Sequence, residues 1–440
     1  MVAVFPSVPA VRYGLCAALL LSLLPSAGAV AATADQPLLN WSVLNRNYLI
    51  SSAYRGADQG RPYRREWAHG LLADVQSGYT PGVLGLGADV HGFAGYRLDS
   101  QRGHAGTGLL AADSDGGSVD SYGSSGGAVK LRMRQTVVKY GEMSVATPVF
   151  ATADKRLQPE YATGFWLQSD DLPRLSLQAG HFTAFKNQDA STAHGEFSGY
   201  GATTAGSAIS LAGARWKISD TLRTAVFVSQ LDDTWRQSYL NLNWQQQGLS
   251  LDGNLYRSRD QGRRRAGAID TLAYSVAARY QRAAHGIMLA YQKINGDTPF
   301  DFVGGDSIAL ANSIKYADFN GAHERSLQAR YDFDFAALGI PGLSLMARYV
   351  KGWGIDGTHA EAGGAYNPFD STSGDYQPQQ GQGGKHWERD LQVRYQVPAG
   401  PFKDLSLSLA EVGHRGNAAQ GGANIERLYL LLQYPLQGSL

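Results

Sequence analysis

Cysteine is nearly absent. The 440 residues include one, Cys16, and it falls in an N-terminal segment that reads as cleavable. The remaining chain has no thiol, which excludes a small disulfide-rich scaffold. Long apolar runs are missing too. Beyond the N-terminus none reaches the roughly 20 residues that a spanning helix needs. That excludes a helical bundle in a membrane but not spanning strands, which are short and alternate. Methionine is scarce, at 5 residues against 23 tyrosines, a balance closer to interfacial aromatic girdles than to a helical core. Charge of one sign is also lacking, with 39 basic and 38 acidic residues. Net charge therefore implies no nucleic-acid partner, and any basic feature must come from placement.

Catalytic signatures are absent as well. There is no His-Glu-x-x-His and no phosphate loop. Gly123-Ser124-Ser125-Gly126-Gly127 matches a nucleophile elbow by letter, but it sits in a Gly/Ser-rich stretch, without the strand and helix that the elbow joins. His181, His194 and His323 are scattered and read as girdle, loop or lumen residues, not as metal ligands. No cofactor and no enzymatic activity are expected.

The N-terminus has the pattern of a secretory signal. Arg12 precedes the apolar run Gly14 to Leu24, Pro25 breaks it, and small residues follow to Ala32. Cleavage near Ala32 or Ala34 is expected, giving a signal peptide over 1–34 and one domain over 35–440.

From Leu39 onward, short alternating runs recur between Gly, Asp, Asn and Ser. In Leu327 to Phe335 the odd positions are apolar or aromatic and the even ones polar or charged, the period of a strand with unlike faces. A soluble sandwich alternates too. Many runs, however, are long enough to cross a bilayer at a tilt, which takes roughly 9–11 residues. Tight turns such as Pro341-Gly342 also alternate with long polar stretches such as 99–126 and 352–384, the rhythm of short periplasmic turns and long external loops. About eighteen strands are expected, those near Thr163 and Ile308 being the weakest. Leu428, Leu430, Leu432, Tyr434, Leu436 and Leu440 share one parity near the C-terminus, as in a closing barrel strand. The fold class is therefore an all-β transmembrane antiparallel barrel.

One stretch combines a wall with a loop. Lys130, Arg132, Arg134 and Thr136 share one strand parity, with Leu131, Met133 and Val137 on the other. Residues 141–162 then form a long non-periodic segment with Pro148 and Pro159, and a loop that long is usually functional. The strand is read as lining a water-filled pore and the loop as narrowing it, through Pro148, Val149 and Phe150. Lys155, Arg156 and Glu160 would hold it to the wall. The same parity reasoning turns Arg330, Arg348, Arg394 and Arg427 inward. Asp332 and Asp334 share the face of Arg330, so salt bridges that brace the wall are a competing reading.

The chain resembles the OprD family of substrate-specific outer-membrane porins. The likeness rests on an ordered set of segments spanning nearly all of it. They include Lys139-Tyr-Gly-Glu-Met143, Thr147-Pro-Val-Phe150, Ala179-Gly-His-Phe-Thr183, Gly296-Asp-Thr-Pro-Phe-Asp301, Tyr316-Ala-Asp-Phe-Asn320 and Ile340-Pro-Gly-Leu343. The resemblance implies an eighteen-stranded barrel with an inward-folded constriction loop. A basic ladder lines one side and an electronegative pocket the other, for passive uptake of basic amino acids or small carboxylates. Lys130, Arg132 and Arg134 resemble the start of that ladder. Asp297, Asp301 and Ser307 are the candidates for the opposing pocket, with turn chemistry the alternative for the aspartates. The chain departs from the pattern at Ser408 and Ala410, where relatives tend to carry arginines. The ladder is either shortened there or completed by His414 and Arg415. The implied partners are a small charged solute, outer-membrane lipid and the β-barrel assembly machinery, and the protein would be a monomer or homotrimer. The competing classes are a sugar-selective channel, a barrel protease or lipase, and a secreted soluble β-protein.

Overall fold

The structure, a computed structural model, describes residues 37–440 apart from 59, 61, 198 and 200–206. The expected secretory segment lies outside the described residues. Successive strands are β1 (Leu39–Tyr54), β2 (Arg64–Ser77), β3 (Leu84–Asp99), β4 (Ser121–Met133), β5 (Thr136–Met143), β6 (Tyr161–Leu172) and β7 (Leu175–Lys186). They continue with β8 (Ile209–Lys217), β9 (Leu222–Leu231), β10 (Trp235–Gln246), β11 (Leu249–Asp260), β12 (Asp270–Arg282), β13 (His285–Asn295), β14 (Arg325–Asp334) and β15 (Leu343–Ile355). A small hairpin, β16 (Phe369–Asp370) and β17 (Asp375–Tyr376), precedes β18 (Gly384–Gln396), β19 (Ser406–Gly416) and β20 (Ile425–Ser439). Setting the hairpin aside, eighteen strands form one sheet, each antiparallel to its sequence neighbour, and β20 pairs with β1. That last pairing runs from Asn40 opposite Ser439 to Tyr54 opposite Ile425. It leaves no edge, so the barrel is closed.

Closure matters because a backbone N–H or C=O facing hydrocarbon without a partner costs several kcal/mol. The side chains sort accordingly. Val129 and Leu289 are each 62% exposed, and Leu251, Leu327, Leu409 and Leu432 are exposed on the same outer face. A belt this apolar is stable only against lipid. The opposite parity buries Gln292, Ser326, Gln328, Arg348, Glu388 and Asp390.

Several sequence expectations shift. The stretch near Ile308 is a loop, and β6 supplies the strand at Thr163. Gly123 to Gly127 belong to β4 and not to an external loop. Crowding inside the wall accounts for the small residue at Gly126, where a Cβ would collide with the Glu142 carboxylate and the His91 ring. Strand β4 ends at Met133, so Arg134 and Gln135 form the turn to β5, with Arg134 at φ 56°. Arg134 is therefore a turn residue, 74% exposed and 3.7 Å from Asp171, and not a third rung on the strand. The tyrosines also divide. Tyr96, Tyr140, Tyr280 and Tyr349 are exposed, whereas Tyr48, Tyr122, Tyr161, Tyr239, Tyr256 and Tyr429 are buried inside.

Leu432, near the middle of β20 and on the lipid face, gives a direct check. Leu432→Arg should destabilise the barrel by about 2–4 kcal/mol in urea titrations of liposome-inserted protein. Ser408→Arg, on the inner parity of β19, should cost much less. Equal losses would contradict the assignment of faces.

Candidate functional site

Two loops fold into the barrel and divide its interior. The first, residues 144–160, starts as a small hairpin. The Thr147 hydroxyl donates to the Phe150 carbonyl at 2.7 Å and accepts from the Phe150 N–H at 3.0 Å. Val149 and Phe150 are fully buried, and Phe150 packs against Phe182, Phe185 and Phe197. Of the expected constriction residues, Val149 and Phe150 thus anchor the loop and do not face a solute, while Pro148 is half-buried. The second loop, residues 296–324, meets the first across several contacts. The Ser307 hydroxyl accepts from the Ala151 N–H at 2.7 Å. The Glu160 carboxylate accepts from the Ala153 and Gly305 N–H groups, each at 2.8 Å, and Lys155 pairs with Asp306 at 2.5 Å. Burial pushes the Glu160 carboxyl up, against the pull of those two N–H donors. Ser307 is therefore a pin between loops and not a pore-lining hydroxyl.

Tyr256 on β11 ties both loops to the wall. Its phenol donates to the Pro148 carbonyl at 2.7 Å and accepts from the Ala309 N–H at 2.9 Å. Parity alone could have turned it inward, but nothing local marks its partners. The second loop is fixed on another wall by Glu388 of β18, which accepts from the N–H groups of Tyr316 at 2.9 Å and Ala317 at 2.7 Å.

A cavity of about 430 Å³ lies between these loops and the wall made by β14, β15, β18, β20 and β1. Six cations line it: Arg46, Lys155, Arg156, Lys315, Arg330 and Arg348. Asp154 is the carboxylate among its lining residues, with Tyr48 and Tyr429 adding apolar surface. Strand register explains the cationic wall. Arg330 pairs with Arg348, Arg348 with Asp390, Asp390 with Val412, and Val412 with Arg427. These residues form one row across five strands. Strands lie about 4.8 Å apart and tilt about 35–45° to the barrel axis, so a row perpendicular to them climbs roughly 3 Å per strand. The row is therefore a staircase of arginines, with Asp390 and Val412 between them.

Like charges directly opposite each other in a sheet destabilise it, and here carboxylates offset the repulsion. Arg348 Nε donates to Asp390 at 3.0 Å, and Arg330 Nη2 donates to Asp332 at 2.7 Å. The wall-bracing salt bridge and the inward arginine are thus the same residue in each case. Arg427 donates to Ser52 at 2.7 Å and lies 5.0 Å from the Tyr316 ring. Arg394, on the inner parity of β18, donates to Gln396 at 3.2 Å and is exposed. Arg46 was missed in the sequence because its parity in β1 also carries Leu44, Tyr48 and Ile50. It grips Asp154 with two nitrogens, at 2.5 and 2.7 Å.

Among the described residues, Arg156 and Lys315 form no ion pair. Arg156 donates to the carbonyls of Thr107 and Lys155 at 3.1 and 3.0 Å. Lys315 lies 5.0 Å from the Tyr429 ring. Burial pushes the Lys315 ammonium below its ordinary value. Asp390 and Glu388 oppose that, while Arg348 and Arg156 reinforce it.

The other predicted residues lie elsewhere. Lys130 and Lys139, opposite each other on β4 and β5, share Asp89, and the Arg132 guanidinium stacks 4.4 Å from the Tyr79 ring. Glu142 holds both His91, at 2.8 Å, and Lys186. This is a braced wall outside the lining of the cavity. Asp297 is 59% exposed and bonded to His323, and Asp301 is buried; neither lines the cavity. Ala410 is buried and Ser408 half-buried on β19. The cation opposite Ser408 is Arg394 of β18, whereas His414 bonds to His386 and Arg415 pairs with Glu426.

Tyr256→Phe should leave a folded, heat-modifiable barrel while removing both loop contacts, a loss of about 1–3 kcal/mol of holding free energy. Single-channel current should become noisier than wild type. An unchanged recording would refute the role of this phenol as a tie.

Comparison with known proteins follows the same outline. The family model described as "outer membrane porin, OprD family" matches residues 39–438. Porin D of Pseudomonas aeruginosa is 41% identical over 409 residues, 90% of each chain. The crystal structure of Pseudomonas aeruginosa OccK9 (OpdG) superposes with a TM-score of 0.81 at 32% identity, covering 91% of this chain and 98% of that one. OpdK of the same organism, solved with vanillate, gives 0.79 at 32% identity, covering 91% and 99%.

Proposed function

The chain belongs to the OprD family of outer-membrane porins, and from that premise we propose that it selects solutes by a carboxylate group. As a member of that family it is a channel for substrate-specific uptake in the outer membrane, not an enzyme. The proposed substrates are small carboxylates, including the carboxylate end of an amino acid.

One observation carries this reading: a 430 Å³ cavity lined by six cations and one carboxylate. Arginine suits the task because its planar fork meets a carboxylate through two parallel hydrogen bonds and stays charged. Conduction also requires that no site hold too tightly. Asp390 and Asp332 meet that need by sharing the charge of Arg348 and Arg330. Arg156 and Lys315, outside any ion pair among the described residues, supply the strongest attraction. An anion would pass between them and step along the staircase, exchanging one set of donors for the next. Asp154 offers a counter-charge to an ammonium group on the same solute. The vanillate of the OpdK structure is an aromatic carboxylate, in keeping with this chemistry. The reading includes removal of residues 1–34 on export. It also includes insertion by the β-barrel assembly machinery, supported by the apolar stripe of β20, and one pore per chain in a monomer or homotrimer.

Arg156→Gln with Lys315→Gln should slow benzoate entry into proteoliposomes by about tenfold, the equivalent of about 1.4 kcal/mol, with little change for a neutral pentose. Equal slowing of both solutes would count against charge selection. Titration gives a second check. Lys315 is charged below its lowered value and neutral above it. Anion preference, read from the reversal potential in a salt gradient, should therefore decline as the pH rises, before the ordinary lysine range is reached. Lys315→Arg should keep the preference across that range. The same decline in both proteins would exclude Lys315 as its source.

A further inference from the structure

A second cluster of chemistry lies at the loop end of the barrel, outside the cavity. A carboxylate oxygen of Asp297 and one ring nitrogen each from His323 and His359 lie within 4.8 Å of one another. His323 Nε2 is already 2.8 Å from Asp297 Oδ1. The three residues come from opposite ends of the 296–324 loop and from the loop that follows β15. No sequence spacing announces them.

The backbone holds them in place. The His323 N–H donates to the Gly296 carbonyl at 3.2 Å, and the Asp356 N–H donates to the Ala322 carbonyl at 3.0 Å. The first bond closes the neck of the lumen loop, and the second docks the next loop against it. His323 adopts φ 57°, a left-handed conformation that costs a non-glycine residue free energy and persists only where its surroundings enforce it. Packing does not explain the convergence, since none of the three side chains is buried.

We propose that Asp297, His323 and His359 form a binding site for a borderline divalent cation, of which Zn²⁺ is the probe. Two imidazoles and a carboxylate are the donors such ions prefer, at about 2.0–2.2 Å, and three protein ligands leave a position for water. Ligand atoms around one ion lie about 3–4 Å apart, so small side-chain rotations bring these three into range. The 2.8 Å contact between His323 Nε2 and Asp297 Oδ1 keeps two of the three donors together before the ion arrives. Once bound, the ion ties the neck of the lumen loop to its neighbour. The site is independent of the uptake reading, since none of its residues lines the cavity.

The test uses tag-free, folded barrel in detergent, stripped with a chelator and titrated with Zn²⁺ against a chromophoric competitor. The wild type should take up about one equivalent per chain. His359→Ala should weaken binding by at least about tenfold, and His323→Ala with His359→Ala should abolish it. Heat-modifiability on gels confirms that each variant is folded. Wild-type uptake no greater than that of the double variant overturns the site. So does uptake that His359→Ala leaves intact.

Discussion

Every backbone polar group in the hydrocarbon layer needs a partner within the protein, and this requirement shapes the rest of the molecule. It is met by returning β20 to β1 along a register from Asn40–Ser439 to Tyr54–Ile425. A closed sheet has no freedom to slip one strand alone, because a one-residue shift would turn its lipid face inward. Register is thereby shared around the wall. The row from Arg330 to Arg427 exists because four successive pairings are fixed together. Strand tilt then converts that row into a staircase. The position of the basic residues along the pore is thus a consequence of closing the barrel.

A closed barrel of eighteen strands encloses more space than its wall side chains fill. Here two loops occupy the excess and leave a cavity of about 430 Å³ along one wall. Their hold comes from a few polar contacts inside an otherwise aromatic packing. Tyr256 contacts both loops, Ser307 and Glu160 join one to the other, and Glu388 fixes the second to the ladder side. Deep burial of Val149 and Phe150 makes the first loop a fixed partition. Arg156 and Lys315 are carried by these partitions, not by the wall. The loops thus place cations across from the arginines, which the wall alone could not do.

Charges inside the barrel divide into two kinds. Lys130, Lys139 and Asp89 on one wall, with Lys186, Glu142 and His91 beside them, neutralise one another at contact distance. They brace a wall region whose glycines permit close packing. Arg330 and Arg348 are also paired, but they border open space. The same residue type on the same parity therefore serves two purposes, and what differs is the space in front of it.

The sequence by itself determined the architecture. Period-two alternation, alternating connection lengths and the apolar closing strand suffice for a barrel of about eighteen strands, because those patterns follow from lipid on one face and water on the other. It also determined which parity of most strands turns inward, and so marked Arg330, Arg348 and Arg427. It did not reveal that β4 stops at Met133, since Arg134 continues the alternation by letter while the backbone turns. Arg46 was hidden by apolar neighbours on its own parity. For Asp297 and Asp301 the sequence leaves a pocket role and turn chemistry both open, because their spacing carries no information about depth in the barrel. Which cations share a row, which face a cavity and which meet a carboxylate depends on register and on loops that cross the lumen. Some of those contacts join residues more than a hundred positions apart, such as Tyr256 with Pro148 or Arg46 with Asp154. Only the tertiary structure decided them, because no local pattern encodes a partner at that distance.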